Sequence, residues 1–214
     1  YNYNDGVDSN NIALVSGSTW DIRDDNRHTL DATHLGDLLE AKGLSWKTYA
    51  EGYPGKRDLR SGAGKYARKH VPFLSFANIQ NDPARCARVV DGTAFDQDLA
   101  VGTLPDFALY IPDDRNNGHD TGVKYADNWL KGRFGALLTD TRFMADRLFV
   151  VIFDEGRRGN TVYAALFGDM VTPGAKSDAP YTHYSLLRTI EDRLGLGTLG
   201  RDDAQATPIS GVFR

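Results

Sequence analysis

"LFVVIFDEG", Leu148 to Gly156, decides how this chain is read. Six apolar residues run straight into two adjacent carboxylates and a glycine. The β-branched and aromatic content, with no polar alternation, predicts a strand covered on both faces, as in a parallel sheet. Asp154 and Glu155 then stand at its carboxyl end, where open α/β sheets gather their chemistry. Two carboxylates at one strand end repel each other and cost desolvation if buried. A hard divalent cation with oxygen ligands, or a shared proton, relieves that cost. The other reading is an exposed acidic turn, "DEGRRGN", neutralised in place by Arg157 and Arg158.

Outward from this stretch, apolar segments alternate with helix-like ones, which predicts an α/β class. "LDATHLGDLLEAKG" after Thr29 places Leu30, His34, Leu35, Leu38 and Leu39 near one helical face, with Gly43 to end it. "LSWKTYA" reads as a strand that stops at the turn "EGYPG". The Gly-, Lys- and Arg-rich region from Tyr53 to Gly64 reads as an exposed loop, and "VPFLSF" as a strand or buried loop. Phe107 to Ile111 is a strand stopped by Pro112, with Asp113–Asp114 as a second strand-end acidic pair. "TGVKYADNWLKGRFGALL" has helical spacing at Val123, Trp129, Leu130, Phe134, Leu137 and Leu138, and "TVYAALFG" is a further strand. "THYSLLRTIEDRLGLG" is the clearest helix, capped by Thr182, ended by Gly195 or Gly197, with Leu187, Ile190 and Leu194 as its stripe.

The bulk numbers exclude several functions. The 214 residues are 41% hydrophobic and 25% charged, an ordinary globular composition. A net charge of −4 leaves no electrostatic footprint for nucleic acid. The longest wholly apolar run, Leu148 to Phe153, is far short of a membrane span. The opening "YNYNDGVDSNN" carries no signal peptide and reads as the interior of a longer protein or a processed end. The single cysteine, Cys86, reads as a small buried apolar residue.

Other polar groups could join the acidic pair. In "NNGHD", His119 beside Asp120 offers an imidazole and a carboxylate, or a base and its orienting partner. An ordinary polar turn is the competing reading. His183 opens its helix on the face of Leu187 and Ile190, where the helix N-terminus favours the neutral ring. His70 in "RKHVPF" could reach the same place, or belong to a basic cluster with Arg68 and Lys69. No GxGxxG, P-loop or G-x-S-x-G is present.

In this order, "NNIALVSGSTW", "SWKTYAEGYPG", "RKHVPFLSFANI", "LPDFALYIPDDRNNGHDTGVKYADNWL", "LFVVIFDEG" and "YTHYSLLRTIEDRLGLGTLG" resemble the phosphoesterase family. That family includes bacterial and fungal acid phosphatases and phospholipases C, within the alkaline phosphatase-like superfamily. The resemblance runs from about residue 9 to the C-terminus. It implies a three-layer α/β/α sandwich around a mainly parallel sheet, in one domain over residues 1–214 that is N-terminally incomplete. It implies metal-dependent hydrolysis of a small phosphate ester or phospholipid head group, and a secreted location.

By the same resemblance Asp154, Glu155 and Asp120 are divalent-metal ligands, Asn10 and His70 contact the phosphoryl group, and His119 and His183 are catalytic. The family nucleophile position holds Val7, which cannot attack phosphorus, and Ser9 serves only with a register shift of two residues. The family's N-terminal strand, with its Glu-Asn metal pair, has no counterpart, and Asp113 and Asn117 replace the usual Asn and Asp. A catalytically impaired homologue that binds a ligand or glycan is therefore the alternative. Sulfate-ester hydrolysis ranks last.

Overall fold

The structure is a computed structural model that describes residues 7–156 and 161–214, with residues 7 and 8 described by backbone alone. Arg157 and Arg158, the expected partners of the acidic turn, lie outside the described residues. Along the chain run α1 (Val7–Ser16), α2 (Leu35–Ala41), β1 (Trp46–Ala50), β2 (Gly62–Ala63), β3 (Tyr66–Ala67), two 3-10 turns (Arg68–His70 and Pro72–Ser75), α3 (Ala77–Gln80), α4 (Pro83–Cys86), β4 (Val89–Asp91), α5 (Ala94–Val101), β5 (Phe107–Ile111), α6 (Val123–Thr139), α7 (Thr141–Met144), β6 (Phe149–Ile152), β7 (Ala164–Phe167), α8 (His183–Leu194) and α9 (Asp202–Gln205).

The central sheet is parallel, in the order β4-β1-β5. Thr48 is in register with Val89 on one side, and Trp46 with Phe107 on the other. Successive strand residues point to opposite faces, and β1 distributes its side chains accordingly. Trp46 and Ala50 join one core with Ile12 and Val15 of α1, Leu35 and Leu39 of α2, and Leu187 of α8. Tyr49 joins a second core with Phe95 of α5 and Phe134 of α6. β5 follows the same rule: Phe107, Leu109 and Ile111 face the first core and Tyr110 the second. Helices therefore cover both faces of a parallel sheet, in keeping with the α/β class that the alternation predicts and the sandwich that the resemblance implies. Leu39, Phe73 and Leu187 are fully buried, each contributing about 1.5–3 kcal/mol of apolar burial.

Several local expectations need correction. β6 is half-buried along its length, not covered on both faces. Among the described residues its strand partner is β7, antiparallel, from Phe149↔Phe167 to Ile152↔Ala164. A strand that follows in sequence can pair antiparallel without a crossover. Phe149 still anchors β6 to the second core, with its ring 5.3 Å from that of Phe134.

The helix expected from Thr29 starts at Leu35, because His34 is its N-cap. His34 Nδ1 accepts from Gly36 N at 3.0 Å, and Asp37 Oδ2 accepts from His34 N at 2.8 Å. Burial holds His34 down to about 4, so the ring is neutral and able to accept. Leu30 instead bridges Phe76. "VPFLSF" is buried but forms a 3-10 turn with Pro72 in its first positions. Tyr53, in the loop expected to be exposed, is buried against Tyr66 with ring centroids 5.5 Å apart. Val123 stands 70% exposed, off the stripe assigned to it. α8 begins and ends as expected, with Thr182 as its cap and Gly195 left-handed at its end. Cys86 is buried.

Candidate active site

The end of β6 is held from two sides. Asp154 Oδ2 accepts a hydrogen bond from Asn11 Nδ2 of α1 at 3.0 Å. The backbone carbonyl of Asp154 accepts from His183 Nε2, the first residue of α8, at 2.7 Å. That bond places the ring proton on Nε2 of a neutral imidazole. Burial pushes the His183 pKa below its ordinary value, and the positive helix N-terminus acts in the same direction. His183, expected to be catalytic, thus sits where it anchors the strand-end backbone.

Glu155 follows directly. Burial, then the adjacent charge of Asp154, raise its carboxyl above the ordinary value. His70 ends the 3-10 turn Arg68–His70, with Nδ1 3.4 Å from Asp114 Oδ1. Its pKa is lowered by burial against the opposing pull of Asp154 and Asp114. His119 acts electrostatically on both Glu155 and His70. So Asp154, Glu155, His70, His119 and His183 form one neighbourhood.

The other site residues divide. His119 Nδ1 is 2.9 Å from Asp120 Oδ1, and Asp120 Oδ2 accepts from Lys65 Nζ at 2.6 Å. The Lys65 bond first, then His119, holds the Asp120 carboxyl below its ordinary value. Asp120 is therefore committed to Lys65 and His119. A surface depression is lined by Gly118 to Val123 beside this dyad. Asn10 is buried, and among the described residues neither its Nδ2 nor its Oδ1 has a hydrogen-bond partner. Ser9 is fully enclosed, at 0% exposure, in the first turn of α1. Val7 heads the same helix, and its side chain lies outside the described residues.

Among the described residues, no three His, Cys, Asp or Glu side chains converge as a metal cage. The donor chemistry of Asp154 and Glu155 nevertheless fits a hard divalent ion. They are adjacent carboxylates, one raised by burial and by its neighbour's charge, which an oxygen-seeking cation would stabilise. The orphaned Asn10 amide fits a polar ligand, since a buried amide without a partner costs about 1–3 kcal/mol.

Three contributors lie outside the residues that the sequence singles out. Asn11 lies 143 positions from Asp154, and no spacing rule connects them. Lys65 falls just past the Tyr53–Gly64 region read as an exposed loop and has no role assigned from sequence. Glu51 follows β1 as Asp154 follows β6, so the strand-end rule could have found it.

The family model described as the Phosphoesterase family matches residues 5–197 of this chain. A probable acid phosphatase of Kluyveromyces lactis is 33% identical over 212 residues, covering 92% of this chain and 50% of the relative. An acid phosphatase of Aspergillus niger is 32% identical over 210 residues, with 92% and 50% coverage. A phosphatidylinositol-3-phosphatase of Mycobacterium tuberculosis is 29% identical over 211 residues, with 95% and 67% coverage. The chain spans about half the length of the acid phosphatases it matches.

Proposed function

The chain belongs to the Phosphoesterase family, and on that premise we propose that it hydrolyses phosphate esters with a divalent metal ion held at the end of β6. The observation that carries this reading is the double clamp on Asp154, by Asn11 and His183, beside a Glu155 raised by burial and charge. Asp154 and Glu155 would hold the ion. When bound, it would polarise the phosphoryl group and offset developing charge.

The remaining roles fall to this chain's own groups. Asn10 would donate its orphaned amide to a phosphoryl oxygen. His70, kept neutral by burial, would donate one hydrogen bond to the ester. His119, with Nδ1 held by Asp120, would present Nε2 for proton transfer. Ser9 is the hydroxyl nearest in sequence to the nucleophile position. A small phosphate ester or a phospholipid head group is the proposed substrate, supported by relatives named acid phosphatase and phosphatidylinositol-3-phosphatase. A secreted location belongs to the same proposal. Among the described residues no helix is long and apolar enough to cross a membrane.

Turnover of p-nitrophenyl phosphate and of a phosphodiester by the metal-supplied native protein tests this, with Asp154→Ala as control. Wild-type activity clearly above the control is expected, and equal activity would sink the proposal. One observation favours a second reading, that of a catalytically impaired homologue. Ser9 is fully enclosed, and Val7 stands where the family places its nucleophile. That reading predicts calorimetric binding of a phosphate or sugar ligand without turnover under any divalent metal.

A further inference from the structure

We propose that Glu51 is a positioning residue, holding the loop between β5 and α6 so that His119 and Asp114 face the reaction site. This inference rests on the phosphate-ester reading above. Glu51 continues β1 by one residue, and its N–H donates to Ile111 O at 3.0 Å. Its carboxylate then gathers three donors. Oε1 accepts from Tyr110 Oη at 3.1 Å. Oε2 accepts from the backbone N of Asp113 at 3.0 Å and from Asn116 Nδ2 at 2.7 Å. Among the described residues no cation pairs with it, so its hydrogen bonds go to β5 and the loop. The fit leaves no slack at Gly92, where a Cβ would lie 2.9 Å from Glu51 Cγ and 2.9 Å from Tyr110 Oη.

From that anchor the loop is built outward by short bonds. Asp113 Oδ1 accepts from the N–H groups of Arg115 and Asn116, at 3.0 and 2.9 Å. Asp114 N donates to Lys65 O at 3.0 Å, and Asp120 N to Asp114 O at 2.9 Å. His119 N donates to Asn117 Oδ1 at 2.8 Å. Asp114 in turn faces His70. Two site histidines thus depend on a segment with no helix or strand of its own, and Glu51 ties its start to the parallel sheet. Hydrogen bonds to an ionised acceptor are the strong ones.

Glu51→Gln in the native full-length protein tests the proposal, because the new amide group opposes a donor where Oε1 or Oε2 accepted. Backbone hydrogen exchange over residues 113–122 is expected to rise about tenfold or more. For p-nitrophenyl phosphate, kcat should fall roughly 10- to 100-fold while KM stays within about twofold. Asn116→Ala removes the 2.7 Å bond from the loop side and leaves the sheet intact. It should reproduce both effects, and the double variant should add little to either single one, as for residues acting through one contact. Unchanged exchange over the loop would overturn the proposal, as would a loosened loop with unchanged kcat. If the wild type shows no turnover, the hydrolase reading falls by itself, and loop exchange alone decides whether Glu51 holds the segment.

Discussion

Asn11 shows how much one side chain can decide. Its amide holds Asp154 Oδ2 at 3.0 Å, so the carboxylate proposed for the metal is oriented from a different element. Partners that orient metal ligands typically matter 10- to 100-fold in affinity or activity. Asn11→Ala is therefore expected to weaken divalent-ion binding about 10-fold or more, read by calorimetry with manganese. Unchanged affinity would detach Asn11 from the site. At this scale the legible part was chemistry attached to a strand end: Asp154 and Glu155 were visible because an apolar run delivers them. Asn11 was not, because its partner is distant in sequence. Glu51 is masked because "EGYPG" reads first as a turn.

Elements carry the site by their ends, and α8 is the best example. Its N-terminus supplies His183 to the Asp154 carbonyl. Its far half buries Glu191 completely. Burial first, then the charge of Asp203, push the Glu191 carboxyl up to about 8. Asp203 itself accepts from the N–H groups of Leu199 and Arg201, at 2.7 and 2.9 Å. It packs so close to Gly17 that a Cβ there would lie 2.3 Å from Asp203 Oδ1. The folded chain therefore keeps the Glu191 proton after the unfolded chain has released it near the ordinary 4.5. Between those values the folded state binds more protons, so stability falls as pH rises from about 4.5 to about 8. Glu191→Gln keeps the shape without the charge. Its melting temperature should exceed the wild type's by ~5 °C or more at pH 9, with the gap closing toward pH 4.5. Equal melting curves at both pH values would remove Glu191 from the account. α8 was legible because Thr182 and Gly195 are both strong local signals. α2 starts at Leu35, five residues after the Leu30 that opens the apolar spacing, because that spacing runs on past a histidine cap. β6 was legible as a strand but not in its pairing, since periodicity says nothing about which neighbour a strand finds.

At the scale of the whole molecule, alternation of strands and helices predicts an α/β class, the family resemblance adds a mainly parallel sheet between two helical layers, and β4-β1-β5 is that sheet. The layers bring α1, the 3-10 turn at His70, the loop after β5, the end of β6 and the start of α8 to one side of the molecule's chemistry. This convergence is legible only through the order of matching stretches, because each polar group alone has a bland reading: a surface turn or basic cluster for Asp154–Glu155, His119 and His70, a core histidine for His183. The enclosure of Ser9 and of the orphaned Asn10 depends on how α1 docks on the cores, which no local pattern records. The central claim is that phosphate esters are cleaved at the acidic end of β6. The most direct measurement is release of inorganic phosphate by the metal-supplied native protein, compared with Asp154→Asn. That substitution keeps an oxygen for Asn11 and removes only the charge. The account predicts a loss of at least about 100-fold in kcat/KM. An Asp154→Asn protein as active as the wild type would contradict it.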